Sequence, residues 1–141
     1  MPQPSSPLDA RLGPLLGRAH EAHRRLTREA LAGLGLSPKG YGALVLLDAE
    51  GPLSQQRLAR RQGIDRTTMV AVADELEALG AIERRRDPDD RRAYALHLTQ
   101  AGRRLLARAH PAVLDAEERF LAPLPEAERE RLRAALRRLL A

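Results

Sequence analysis

Residues 53–102 read LSQQRLARRQGIDRTTMVAVADELEALGAIERRRDPDDRRAYALHLTQAG, and the hydrophobic period changes along them. Ser54 is placed to cap a short helix carrying Leu58 and Ala59, which stops at Gly63, where a turn to positive φ costs least. Asp65 caps the next helix. There Met69, Val72, Ala73 and Leu76 are spaced for one buried stripe, which leaves Thr67, Ala71, Asp74 and Ala78 opposite and Val70 to one side. After Gly80 the period drops to two. Ile82, Arg84 and Arg86 alternate with Ala81, Glu83 and Arg85, while Tyr94, Leu96 and Leu98 alternate with Ala93, Ala95 and His97. The DPDD between these runs supplies turn chemistry. Two helices around a Gly-containing turn, the second with small and hydroxylated residues at its exposed start, predict a helix-turn-helix, and the basic β-hairpin makes it a winged one.

Working outward, PQPSSP reads as a frayed tail, taken here as residues 1–13. Pro14 suits a first helical turn, and Leu15, Ala19, Ala22, Leu26 and Ala30 follow at steps of three and four. GLGLSPKG breaks this helix. Ser37 and Pro38 restart one through Tyr41, Leu44, Val45 and Leu47, ending at Gly51-Pro52. Downstream, Thr99 caps a helix through Leu105, Leu106, Val113 and Leu114, with Pro111 bending it. Pro125 opens a last helix with Glu126 and Glu128 in its first turn and Arg137 and Arg138 in its last, matching the dipole. The expected architecture is mainly α with a small β-hairpin wing: a lobe at 37–102 flanked by helical segments 14–36 and 103–141.

Composition agrees. A chain of 141 residues has room for one core, and 43% apolar with 30% charged residues excludes a fully disordered chain. Only 2% are aromatic, so Leu, Ala and Val must build that core, which disfavours a large β-sandwich. With no cysteine there are no disulfides, thiolate metal sites or thiol nucleophiles. No run approaches the roughly 18 apolar residues of a membrane span, and the N-terminus lacks a signal core, so a cytoplasmic location is expected. P-loop, HExxH and GxSxG motifs are missing, and GYG at 40–42 lacks the third glycine of a dinucleotide site. Neither an enzyme nor a cofactor is expected.

The net charge is +5, and every basic residue except Lys39 is an arginine. Guanidinium binds phosphate and carboxylate bidentately, but a GC-rich coding sequence also writes Arg for Lys, so position carries the argument. Arg57, Arg60, Arg61 and Arg66 against Asp65 leave +3 over residues 54–73. Five arginines against Asp87, Asp89 and Asp90 leave +2 over 84–92. The patch survives only if Asp74, Glu75, Glu77 and Glu83 between the windows are turned away.

On these residues the sequence resembles the multiple-antibiotic-resistance regulator (MarR) family of winged-helix transcription factors. The specific text is the D-x-L-E…G segment (Asp74, Leu76, Glu77, Gly80), the DxR of the wing (Asp90, Arg92) and L-T-x-x-G (Leu98, Thr99, Gly102). The flanking helices agree in number and length.

The resemblance implies a homodimer on an inverted-repeat DNA operator, acting as a repressor released by a small molecule. The competing reading is an architectural or protein-recruiting module that binds DNA weakly. The DNA-binding set is Ser54, Gln55, Arg57, Arg61, Arg66, Thr67, Thr68, Val70, Ala71, Arg85, Arg91 and Arg92. Helix N-termini favour phosphate, so Ser54 and Thr68 are expected to position the backbone while Thr67 reaches base edges. For Arg57, Arg60 and Arg61 the alternative is a solvated helix face. Arg91 and Arg92 suit a narrow minor groove. Family likeness favours Arg92 oriented by Asp90, and likens Asp74 to the acid that pairs with a wing arginine. Val70 and Ala71 stand where the family commonly has polar residues, which makes direct base readout sparse.

Leu12, Leu15, Leu121, Leu132, Leu136, Leu139 and Leu140 are candidates for the dimer face, with intrachain core as the alternative. The family places small lipophilic or phenolic anions between the dimer helices and the DNA-binding lobe, which implies a pocket near His20, His23, Tyr41 and Leu44. His20 and His23 share a helix face but lack a clear third ligand, so no metal is expected. His97 and His110 read as ordinary, partly buried residues.

Overall fold

A computed structural model describes residues 6–141, with 91–93 given by their strand backbone alone. Six helices and three strands follow in chain order: α1 Leu12–Ala32, α2 Pro38–Glu50, β1 Leu53–Ser54, α3 Gln55–Gln62, α4 Arg66–Ala78, β2 Ile82–Asp87, β3 Asp90–Leu98, α5 Gln100–Leu121 and α6 Glu126–Leu140.

The caps fall where the side chains put them. Ser37, Ser54, Asp65 and Thr99 each accept a hydrogen bond from the backbone N–H three residues on, at 2.7–3.1 Å, and open α2, α3, α4 and α5. Gly63 closes α3 at φ 66°. The buried face of α4 is Met69, Val72, Ala73 and Leu76, as the spacing predicts.

Three details differ from the sequence reading. Residues 7–10 form a 3-10 turn capped by Ser6 and tied to α1 through an Asp9–Arg18 ion pair, and α1 begins at Leu12 rather than Pro14. The hairpin is part of a three-stranded antiparallel sheet in the order β1-β3-β2, because Leu53 and Ser54 pair with Leu96 and Ala95. Two residues are too few to show a period, so β1 leaves no signal in the sequence. Val45 and Leu114 are exposed, and α5 buries the smaller Gly102, Ala109 and Ala116 instead.

One core runs through the molecule. Leu44 and Leu47 of α2, Leu58 of α3, Met69 and Leu76 of α4 and Leu96 of β3 pack with Leu31 of α1 and Ala109 of α5. It is therefore continuous across 36/37 and 102/103, the boundaries drawn from sequence. The L-T-x-x-G text has a structural cause: Thr99 N–H donates to the Ala81 carbonyl (3.0 Å), its hydroxyl to the Gly80 carbonyl (2.6 Å), and a Cβ on Gly102 would overlap the Ala81 oxygen. α5 thus begins pressed against the start of β2. Among the described residues no helix is long and apolar enough to cross a membrane.

Candidate nucleic-acid interface

The outer face of α4 is bare. Thr67, Val70, Ala71, Asp74 and Ala78 are exposed, opposite the four buried residues that anchor the helix. At its start Asp65 Oδ1 accepts from Thr68 N–H (2.7 Å), and that hydrogen bond holds the Asp65 carboxyl below its usual pKa. The Thr68 N–H and, through Ser54, the Arg57 N–H are therefore taken by the chain's own caps. Each cap takes one N–H of its first turn, at the third helical residue of α3 and of α4.

Between α3, the start of α4 and the sheet lies an open groove of about 730 Å³, lined among others by Ser54, Gln55, Arg60, Arg66, Arg84 and Tyr94. Arg84 spans it at the base of the wing. Its Nη2 donates to Asp74 Oδ1 at 2.6 Å and its Nε lies 2.9 Å from Glu77 Oε2, so one guanidinium binds two carboxylates a helical turn apart on α4. The resemblance led one to expect Asp74 on a wing arginine, and Arg84 is that partner. Sequence reasoning missed Arg84, although its position two residues after buried Ile82 puts it on the strand face turned to α4.

Of the four acids that had to be turned away, only Glu75 is; Asp74, Glu77 and Glu83 stay exposed and offset the charge of Arg84 and Arg85, two arginines of the patch. Asp74 and Glu77 hold Arg84, and Glu75 turns inward to accept from the Ser37 N–H and hydroxyl (3.2 and 3.0 Å). Glu83 pairs with Arg85 at 2.8 Å. Two arginines assigned to DNA are themselves paired: Arg85 in this way, and Arg61 with Glu50, whose carboxyl the Arg61 hydrogen bond holds low. Such exposed pairs are screened by solvent and weak, so a phosphate can compete for either arginine. The guanidinium groups of Arg57, Arg60, Arg66 and Arg86 make no hydrogen bond or ion pair among the described residues. The side chains of Arg91 and Arg92 lie outside the described residues.

A family model described as the MarR family matches residues 34–93. A transcriptional regulatory protein assigned to the hcr operon of Thauera aromatica is 39% identical over 118 residues, covering 84% of this chain and 71% of its own. A transcriptional repressor of Mycobacterium tuberculosis is 33% identical over 131 residues, covering 93% and 94%. The crystal structure of a MarR-family regulator from Rhodococcus sp. RHA1 superposes with a TM-score of 0.87 at 30% identity, covering 96% of each chain. The chain belongs to the MarR family.

Within this MarR-family fold the residues assigned to an effector are only partly gathered. Leu44 is fully buried in the core and His20 is exposed on α1. His23 meets Phe120 of α5 edge-on, ring centres 5.3 Å apart. Tyr41 Oη lies 2.8 Å from His110 Nδ1 with the rings stacked, and burial, then the Glu117 charge, raises the Tyr41 pKa. His110 is thus exposed and bonded rather than an ordinary partly buried residue, a partner that sequence reasoning missed because it lies 69 positions away. No group of three metal-ligating side chains occurs among the described residues.

Of the leucines assigned to a dimer face, Leu12, Leu15, Leu132, Leu136, Leu139 and Leu140 are exposed. Leu121 is not: it is buried within the chain at the end of α5, and the intrachain alternative holds for it. Leu8 and Leu16 add to the exposed set.

Proposed function

We propose that this chain is a homodimeric, sequence-specific DNA-binding regulator, a repressor whose hold on an inverted-repeat operator is released by a small-molecule effector. The observation that carries this reading is the surface of α3, α4 and the wing: a bare helix face beside a groove lined by Arg60 and Arg66, whose guanidinium groups make no hydrogen bond or ion pair among the described residues. In B-DNA the major groove admits an α-helix, so Thr67, Val70 and Ala71 meet base edges while Arg57, Arg60 and Arg66 meet phosphates. The wing carries Arg91 and Arg92 toward the adjoining minor groove, where negative potential attracts guanidinium. In support, MarR of Escherichia coli, solved with operator DNA, shares the fold at a TM-score of 0.86 and 22% identity, covering 97% of this chain and all of that one.

Dimerisation is supported by surface area. A compact protein of 15.6 kDa exposes about 7,300 Å², whereas this chain exposes 9989 Å². Setting aside about 800 Å², the most that five residues of any chain can expose, for residues 1–5 leaves an excess of roughly 1,900 Å². Covered on each of two chains, that would make about 3,800 Å² in total, within the range of obligate homodimer interfaces. α6, with no buried residue and a stripe of Leu132, Leu136 and Leu139, is the element such a contact would cover.

The effector half takes up the pocket for a small lipophilic or phenolic anion expected near His20, His23, Tyr41 and Leu44; of these, Tyr41 bonds His110 and His23 meets Phe120 where α2 and α1 adjoin α5. PcaV of Streptomyces coelicolor, solved with its natural ligand, superposes with a TM-score of 0.78 at 29% identity, covering 98% and 97%. Release is a population shift, so the ligand must prefer the spacing of the two lobes that misfits DNA.

The test selects a duplex from a randomised pool and measures affinity by fluorescence anisotropy. A regulator discriminates the selected duplex from scrambled DNA by roughly 10³ or more, and a ratio near one selects the architectural or protein-recruiting reading instead. Arg92→Ala should flatten the salt slope by about one unit if the residue meets a phosphate, or alter A·T preference if it enters the minor groove. No change in either removes Arg92 from the site. Operator affinity unmoved by every member of a panel of aromatic acids overturns the effector half alone.

A further inference from the structure

The face that α4 presents is chemically one-sided. Val70 is 39% exposed and Ala71 is open beside it, while the polar groups around them are committed. Asp74 is held by Arg84, and the Asp65 carboxylate by Thr68 N–H. The Thr67 hydroxyl is the remaining short polar group on this face, and Arg66, at the first helical position, points its chemistry to the groove it lines.

A helix carrying Arg, Asn or Gln at these places reads base edges by paired hydrogen bonds; Val70 and Ala71 have no donor or acceptor to offer. The major groove holds one apolar feature that a valine can recognise, the C5-methyl of thymine. We propose that Val70, seconded by Ala71, is the specificity-determining residue of α4 and recognises thymine methyl groups, so that the chain distinguishes T from C by a methyl contact rather than by a hydrogen bond. This inference rests on the DNA-binding reading and names what its central contact recognises.

The physical basis is burial. Seating one methyl against Val70 withdraws it from water, worth about fourfold in affinity per half-site. A symmetric dimer makes the contact twice, for about 15-fold over a whole operator. A hydrogen-bond reader gains nothing from the methyl.

The experiment uses the full chain and the highest-affinity duplex recovered from a randomised pool. Each thymine is replaced in turn, with its symmetry mate, by deoxyuridine, which deletes the methyl and leaves every hydrogen-bonding group in place. The expected result is a loss of about 15-fold at one or two symmetric pairs of positions and little change elsewhere. In Val70→Ala that penalty shrinks to threefold or less, and in Val70→Ser, whose side chain carries no methyl group, it shrinks likewise. Circular dichroism confirms that both variants keep their helices. If every deoxyuridine duplex binds the wild-type chain as the thymine duplex does, or if the penalty survives intact in Val70→Ala, methyl recognition by Val70 is overturned while DNA binding stands. Failure of any duplex to be enriched from the pool overturns the DNA-binding reading, and this inference with it.

Discussion

At the scale of single residues, the tightest constraint in the molecule is Gly102. Its neighbour is the Ala81 backbone carbonyl, which cannot swing aside as a flexible side chain would. Gly102→Ala should therefore destabilise the fold by about 1–3 kcal/mol. Gly33 is the control, with φ −65° and nothing near its missing Cβ. Gly33→Ala should be neutral or stabilising by roughly 0.4–1 kcal/mol, through the unfolded chain. Urea denaturation of the two variants measures both. Asp65 makes a pH prediction of definite sign. Its folded pKa lies below the unfolded value because Thr68 stabilises the ionised form, so its contribution is present above the ordinary carboxylate range and is lost as pH falls through the folded pKa. Melting temperatures measured from pH 6 down to pH 2.5 should fall less steeply below pH 4 in Asp65→Asn than in the wild type. Equal slopes would remove the cap from the acid response.

Between elements, the contact that ties the wing to the helix proposed to face DNA is Arg84, joining β2 to two carboxylates of α4. It is an exposed pair, worth little to global stability, and its value lies in fixing the angle of the wing to the helix. Arg84→Ala should change unfolding stability by less than about 1 kcal/mol, yet raise amide exchange across β2 and β3 and weaken operator binding several-fold. Unchanged hairpin exchange would show that the sheet alone holds the wing. This level also marks how far the sequence could be read. The caps at Ser37, Ser54, Asp65 and Thr99 and the stripe Met69, Val72, Ala73, Leu76 are local signals, set by neighbours within four residues, and each was legible. The pairing of β1 with β3, the Arg84 bridge and the Tyr41–His110 bond join residues 7 to 69 positions apart. No periodicity encodes such meetings, and they exist only once the core has brought the elements together. Leu121 and Val45 show the same limit in reverse, since a leucine or valine on a helix announces burial without naming which surface buries it.

For the whole molecule, the question is what covers α6. A helix of 15 residues without a buried side chain gains too little from its own chain to account for its leucine stripe. Leu132→Glu combined with Leu136→Glu should leave the lobe folded, because both side chains are exposed in the single chain, and should convert a dimer to a monomer in light scattering. Operator affinity should then fall by 100-fold or more, since one half-site contact replaces two. A double variant that stays dimeric would move the interface elsewhere, with the exposed Leu8, Leu12, Leu15 and Leu16 at the start of the chain next in line.

One junction bears on how such a molecule would respond to anything bound near its long helices. A single residue, Thr99, separates the returning strand of the wing from α5, and both its amide and its hydroxyl are fastened to the turn between α4 and β2. There is no slack chain there to absorb a rotation. In the regulator proposed above, this one-residue joint is where a shift of α5 would be handed on to the hairpin, so a ligand seated along the long helices would act at a distance from the double helix.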